Sequence, residues 1–441
     1  MKLPEKPKDW KNTLETDGEK VFKLLKEKKL FEKVTEYNRK YFYWEEIKYR
    51  ADSPKEQEYL WAMMKFLRNE KYEKIPFQNI KAKYNSLPEI NKKLHQFDKY
   101  LTGNIALQEK SLGLEKRYII SSLMEEAIAS SILEGAATTR QAAKEMLKQK
   151  RKPLSESEKM VVNGFETMQM IRKRKDEKLS PEFLLEIQAS ITKGTLKDEK
   201  DAGRFRDKDD VVVGDHLDPE VIYHIPPKCA KVKDMINEIC YFANNEEGDF
   251  IHPIIKATVL HFLIGYVHPF NDGNGRTARS VFYWYLLSKG YWLFEYMAVS
   301  RRILSSRKDY GIAYLYTEYD EMDMTYFIKY IVGCVDEALI DLLDYIKRKQ
   351  KEQQEATLII KHTKGLNFRQ ASILEEIMKN PTKDFTIKEI AQTYNTVYQT
   401  ARSDLLYLAE KGFLSKKIVS RAFVFYFNEK NKDNINRLKA D

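Results

Sequence analysis

The stretch His268-Pro-Phe-Asn-Asp-Gly-Asn-Gly-Arg-Thr-Ala-Arg279 gathers an unusual set of reactive groups into twelve residues. His268 is the one side chain in it that can take a proton near neutral pH. Gly273, Asn274 and Gly275 form a tight turn in which backbone N–H groups can approach a ligand closely. A glycine turn that feeds a helix N-terminus is an anion site. Arg276 and Arg279 are three residues apart, so both can point from one face of that first turn. Asp272 sets a carboxylate beside the same anion, which is sensible if a Mg²⁺ bridges the two. A base, a metal ligand, an anion cradle and two arginines together point to phosphoryl chemistry.

The neighbouring sequence supplies the elements that would hold these groups. The apolar run Ile254 to Tyr266 predicts a helix that delivers His268 into a loop. A second helix is predicted from about Gly275 through Ser280-Val-Phe-Tyr-Trp-Tyr-Leu-Leu, stopping near Gly290. Between residues 209 and 227, two short β-branched stretches flank a Gly/Asp/Pro cluster, which predicts a hairpin. Upstream, residues 117–135 read as a further helix. At 100° per residue, Ile120, Leu123, Ala127 and Glu134 fall within about 60° of one another, so Glu134 projects from the apolar side. Glu125 and Glu126 fall away from that side. A carboxylate on a buried face needs a cationic partner, because a stranded charge costs about 3–5 kcal/mol. His261, in mid-helix, reads as a hydrogen-bonded core residue, and His252-Pro253 as a helix opening. A zinc site built from His252, His261 and His268 would match no familiar spacing.

The chain of 441 residues is long enough for about three domains at roughly 150 residues each. With 43% hydrophobic residues, 27 tyrosines and 22 phenylalanines, it can fill real cores, which excludes a disordered chain. Three cysteines (Cys229, Cys240, Cys334) without zinc-type or CxxC spacing suit a reducing compartment. The opening MKLPEKPKDW carries no apolar run, and the longest apolar stretch, Ile254 to Val267, is too short for a bilayer. The expectation is a soluble, cytoplasmic protein with no membrane partner.

The twelve-residue stretch matches, position for position, the signature H-x-F-x-[D/E]-G-N-G-R-x-x-R, and the chain thereby resembles the Fic family of protein adenylyltransferases. The resemblance spans roughly residues 106–345 and includes the segment Gly203-Arg-Phe-Arg206. It implies that His268 deprotonates a target hydroxyl that attacks the α-phosphate of ATP, and that Phe270 anchors the loop. It implies Mg²⁺ on Asp272, a phosphate cradle at Gly273, Asn274 and Gly275, and charge neutralisation by Arg276 and Arg279 as pyrophosphate departs. Gly275 and Arg279 are intact; family members with a lysine at the second glycine use other donors, so AMP transfer is implied. Val212, Val213 and Gly214 sit where the family places a flap that can register a target segment as an added strand. Tyr310 stands where the family has a tyrosine near the adenine. Ser130-x-x-x-Glu134-Gly135 fits the inhibitory motif [S/T]-x-x-x-E-[G/N], which implies an inhibitory helix in the same chain, with Glu134 drawing Arg279 away from the γ-phosphate.

The expected architecture is mostly α: a helical region at 1–105, the catalytic core at 106–345, a linker or exposed helix end at 346–366, and a small unit at 367–441. That last unit resembles a winged helix-turn-helix, with a first helix holding Ile373, Leu374 and Ile377, a second from Phe385 to Ala391, and a third from Val397 to Lys411 closed by Gly412. The net charge is +10, and residues 361–441 hold 15 Lys and Arg against 9 Asp and Glu. Such a surplus suits an acidic partner, nucleic acid first. Tyr398, Gln399, Thr400, Arg402 and Ser403 would face a DNA groove, with Lys416, Lys417 and Arg421 on the wing; protein docking or homodimer assembly are the alternatives. Two function classes follow: an AMP-transferring enzyme, and a DNA-binding regulator with a nucleotide-sensing core. Removal of AMP from modified targets is a further activity implied for glutamate-bearing relatives.

Overall fold

A computed structural model describes residues 2–101, 116–214, 220–362, 365–380, 383–419 and 422–427. The N-terminal region is helical, with α1 (Trp10–Glu27), α2 (Phe31–Lys40), α3 (Trp44–Lys48), α4 (Pro54–Asn69) and α5 (Pro88–Leu101), and a short antiparallel pair of β1 (Tyr72–Lys74) and β2 (Lys83–Asn85). Local signals explain where these helices begin. Asp9 accepts from the backbone N–H groups of Lys11 and Asn12, and Ser53 from Glu56 with Pro54 as the first helical residue.

The central part contributes α6 (Lys116–Leu133), α7 (Arg140–Gln149), α8 (Glu156–Lys173), α9 (Pro181–Thr192), α10 (Cys229–Asn244), α11 (Pro253–Val267), α12 (Asn274–Ser288), α13 (Val299–Ser305), α14 (Arg307–Tyr319) and α15 (Thr325–His362). A hairpin, β3 (Val213–Gly214) with β4 (Ile222–His224), lies between α9 and α10. Helices α11 and α12 pack on each other and are buried on nearly every side, which their apolar sequence requires. Their bounds agree with the periodicity to within two residues.

The N-terminal helices and the central helices share one hydrophobic core, from Val21, Leu60 and Trp61 to Phe262, Phe282 and Phe327. Polar pairs stitch the seam. The buried Lys65 Nζ meets the buried Asp320 Oδ1 at 2.7 Å. The hydroxyls of Tyr41 and Tyr72 both donate to Asp323 Oδ2, and Arg68 Nη1 donates to Tyr326. His252 bonds Asp98 through Nε2 and accepts from the N–H of Ile254 through Nδ1, so it links α5 to α11 while opening the latter.

The polar run at 347–356 is helical, because α15 continues unbroken to His362. A second, separate core follows, built on Ile373, Leu374, Ile377, Leu405, Leu408 and Phe425. Its elements are α16 (Phe368–Lys379), β5 (Phe385–Thr386), α17 (Ile387–Thr393), α18 (Tyr398–Glu410), β6 (Ser415–Val419) and β7 (Ala422–Tyr426), with antiparallel strand order β5-β7-β6. The helix expected from Phe385 starts two residues later. Phe385 and Thr386 pair with Phe425 and Val424, and the Thr386 hydroxyl accepts from the Glu389 N–H to cap α17. Gly412 takes φ 76° directly after α18, as a helix-closing glycine should. Helix α17 rests against α7. Of the expected wing cations, Arg421 lies outside the described residues. Among the described residues no helix is long and apolar enough to cross a membrane.

Candidate active site

His268 is the C-cap of α11, in the left-handed region at φ 48°. That conformation turns the chain sharply and lets the imidazole Nδ1 reach the carbonyl of Gly265 at 3.1 Å. A carbonyl can only accept, so Nδ1 carries the hydrogen and Nε2 keeps its lone pair. Burial pushes the imidazole down to about 4, against the pull of the Gly265 carbonyl, and the ring is neutral at pH 7. A neutral imidazole with its outer nitrogen free is a base ready to take a proton.

The loop after it is braced from below. Phe270 is fully buried and stacks on Phe205, with ring centroids 5.6 Å apart. The Asn274 amide accepts from the Phe270 N–H at 2.9 Å and donates to the Phe270 carbonyl at 2.8 Å. The Asn274 side chain is therefore spent on closing the loop. Gly273 sits at φ 87°, and a β-carbon there would come within 2.7 Å of Thr192 Cγ2. Arg206, buried at 4% exposure, donates from Nε to the His268 carbonyl at 2.9 Å, from Nη1 to Lys208, and from Nη2 to the Pro227 carbonyl; its own N–H reaches Pro269. Gln188, fully buried on α9, donates to the Asp272 carbonyl and accepts from the Gly203 N–H. Neither residue was singled out from the sequence, although the Gly203-Arg-Phe-Arg206 segment and a glutamine among apolar α9 residues were the available signals.

The charged groups converge on the start of α12. The Asp272 carboxylate is half exposed and takes a 3.3 Å contact from Arg276 Nη2. Arg276 is buried and also donates to the Ile191 carbonyl. Arg279, equally buried, donates from Nε to the Ser130 hydroxyl at 2.9 Å and from Nη2 to both the Ser130 carbonyl and Glu134 Oε1, the latter at 2.9 Å. Burial would raise the Glu134 carboxyl, but the charges of Arg279 and Arg276 and the Arg279 hydrogen bond hold it below the usual range. Glu134 lies directly over Gly275, where any β-carbon would strike its carboxylate oxygen. Gly135, at φ 95°, turns the chain away immediately afterwards.

One expectation is corrected. Glu125 and Glu126, placed away from the apolar side of the helix, are both buried, because α6 packs on α8 and α13 as well as on α12. Glu125 is held by Arg140 and Lys144 of α7. Glu126 accepts from the Tyr283 hydroxyl and the Ser300 N–H. One apolar face on a helical wheel cannot reveal a helix that is enclosed on three sides. His261 Nε2 meets the Tyr310 hydroxyl at 2.8 Å, and Tyr310 packs against Tyr314 and Phe327 with Arg279 nearby. On the flap, Val212 is 48% exposed; the residues between Gly214 and Glu220 lie outside the described residues. Among the described residues no group of three or more His, Cys, Asp or Glu could hold a metal, which leaves the His252, His261 and His268 zinc set without support.

An imidazole at the end of α11, a glycine turn and two buried arginines at the start of α12 are thus gathered in one place. Residues 178–286 match the Fic/DOC family. The match runs from the start of α9 to nearly the end of α12 and leaves out α6 with Glu134. The protein adenylyltransferase Fic of Drosophila mojavensis is 26% identical over 143 residues, 32% of this chain and 25% of that protein. That of Nematostella vectensis is 33% identical over 91 residues, 21% of this chain and 19% of that protein. The chain thus spans about a quarter or less of the length of these curated relatives. A Fic family protein from Desulfovibrio desulfuricans G20 superposes with a TM-score of 0.51 at 18% identity, covering 78% of this chain and 98% of that one. At that identity the likeness speaks for the Fic fold alone.

Proposed function

We propose that this protein transfers AMP from ATP to a hydroxyl side chain of a protein target, and that Glu134 restrains the reaction. The observation that carries the reading is the neutral His268, with Nε2 unprotonated, at the head of the loop that leads into an arginine-bearing helix. In the proposed step the target oxygen attacks the α-phosphorus, His268 Nε2 takes the hydroxyl proton, and the bond to the departing pyrophosphate breaks. The N–H groups at Gly273, Asn274 and Gly275 bind and orient the phosphates, which suits a transfer that depends mainly on positioning and electrostatics. Arg276 and Arg279 neutralise the outer phosphates. The half-exposed Asp272 carboxylate fits Mg²⁺, a hard cation that takes one or two carboxylates together with phosphate oxygens and water; bound, it would offset phosphate charge. Exposed Val212 and the edge of β3 fit an extended target segment.

The pairing of Arg279 with Ser130 and Glu134 supports the restraint, because an arginine held by a carboxylate is not free for a γ-phosphate. Incubation with α-labelled ATP and Mg²⁺ tests both halves. Glu134→Gly is expected to raise labelling and yield a mass increment of AMP, and His268→Ala to abolish it. Unchanged labelling in the glutamate variant would defeat the restraint.

A second reading rests on the exposed Tyr398, Gln399 and Ser403 at the start of α18, which leave a face open to nucleic acid. A gel shift that survives His268→Ala, without any labelling, would favour a DNA-binding regulator.

A further inference from the structure

Helices α6 and α12 meet as a ladder. Along α6 and its terminal turn, Glu126, Ser130 and Glu134 stand four residues apart; along α12, Tyr283, Arg279 and Gly275 stand four apart in the opposite sense. Residues at that spacing share a helix face, so antiparallel helices can pair them rung by rung. Tyr283 donates to Glu126 Oε2 at 2.8 Å, Arg279 Nε donates to Ser130 Oγ at 2.9 Å, and Glu134 settles over Gly275.

The two end rungs differ in kind. The Glu134 side chain is 30% exposed and follows Leu133, the last residue of α6, so it can leave without disturbing the core. Glu126 is 2% exposed and closed in. Besides Tyr283, both the N–H of Ser300, at 2.9 Å, and its hydroxyl donate to it. Three donors converge on one carboxylate, which ties α6 to α12 and to the start of α13 at once.

We propose that Glu126 is the positioning residue of the inhibitory contact: it fixes the register of α6 against α12 and so decides whether Glu134 reaches Arg279. The inference rests on the reading of Glu134 as the restraint. In Glu126→Gln one carboxylate oxygen becomes an NH₂ that faces hydrogen-bond donors, so the inner rung is weakened with little change in volume.

The full-length protein is labelled with α-labelled ATP in four forms besides wild type: Glu126→Gln, Ser300→Ala, Glu134→Gly and the double variant Glu126→Gln/Glu134→Gly. Glu126→Gln is expected to raise labelling about tenfold, the scale set by losing a charge-assisted hydrogen bond. Ser300→Ala, which removes one donor and is the milder change, is expected to give a smaller rise. The double variant is expected to match Glu134→Gly, since both substitutions act on one contact. A merely structural glutamate would lower labelling in both backgrounds, and that result overturns the proposal. If Glu134→Gly activates while Glu126→Gln and Ser300→Ala do not, the proposal fails and the restraint by Glu134 stands. If Glu134→Gly itself does not activate, the restraint fails, and the proposal with it.

Discussion

If His268 is the base of the proposed transfer, it sets the pH response. Its folded-state value of about 4 lies below the ordinary histidine value of 6.5 because the ring is buried. The base form is therefore retained well below neutrality, and labelling by Glu134→Gly is expected to stay level from pH 7.5 down to about pH 5 and fall only near pH 4. A rate profile that halves near pH 6.5 would contradict the buried, neutral imidazole. The same depression has a stability consequence with a definite sign. Between pH 6.5 and about 4 the unfolded chain binds a proton at this site that the folded chain does not, so His268 makes stability fall as pH falls through that window. Gly273 is a second residue with a sharp demand. At φ 87°, with Thr192 in the way, Gly273→Ala is expected to cost about 1–3 kcal/mol and most of the labelling, as read by urea unfolding and the same assay. A variant with wild-type stability would show that the turn can relax.

At the scale of elements, the reactive loop depends on side chains from elsewhere. Arg206 holds the carbonyls of His268, Lys208 and Pro227 in one fork, and Gln188 joins Asp272 to Gly203. Lysine is a point charge and cannot reproduce such a fork. Arg206→Lys is therefore expected to lower labelling in the Glu134→Gly background by about tenfold or more, with a loss of roughly 1–3 kcal/mol as buried carbonyls lose their donors. Calorimetry and the labelling assay read the two effects separately, and full activity in this variant would mean the loop holds itself. The helices around the motif were legible from the sequence because α11 and α12 carry long, mostly apolar runs on either side of a polar, glycine-bearing loop. The bracing was not. A hydrogen bond between residues 206 and 268 leaves no periodicity in the chain, and Glu126 fell outside the one apolar side the wheel showed because the sequence of α6 does not disclose its neighbours.

Across the whole molecule, the N-terminal helices and the central helices form one body. They share its core, and the Lys65–Asp320 pair crosses the seam with both side chains buried. Breaking that pair strands a charge, so Asp320→Ala is expected to destabilise the protein by about 3–5 kcal/mol in a single unfolding transition that takes the N-terminal helices with it. An N-terminal transition separate from that of the central helices would refute the shared core. The C-terminal unit has a core of its own, and its α17 rests on α7, whose Arg140 and Lys144 hold Glu125 of α6, the helix that Glu134 directly follows.

The reactive loop itself could be read from sequence alone, since a histidine, a carboxylate, a glycine turn and two arginines within twelve residues are defined by local order. The mainly helical character was equally legible, because hydrophobic repeats of about 3.6 residues are a property of the chain. Which tautomer His268 adopts, which carboxylates of α6 are buried, what holds the loop and how the N-terminal helices join the core were decided only in three dimensions. Those features depend on groups separated by tens to hundreds of residues, and only packing brings them within hydrogen-bond distance.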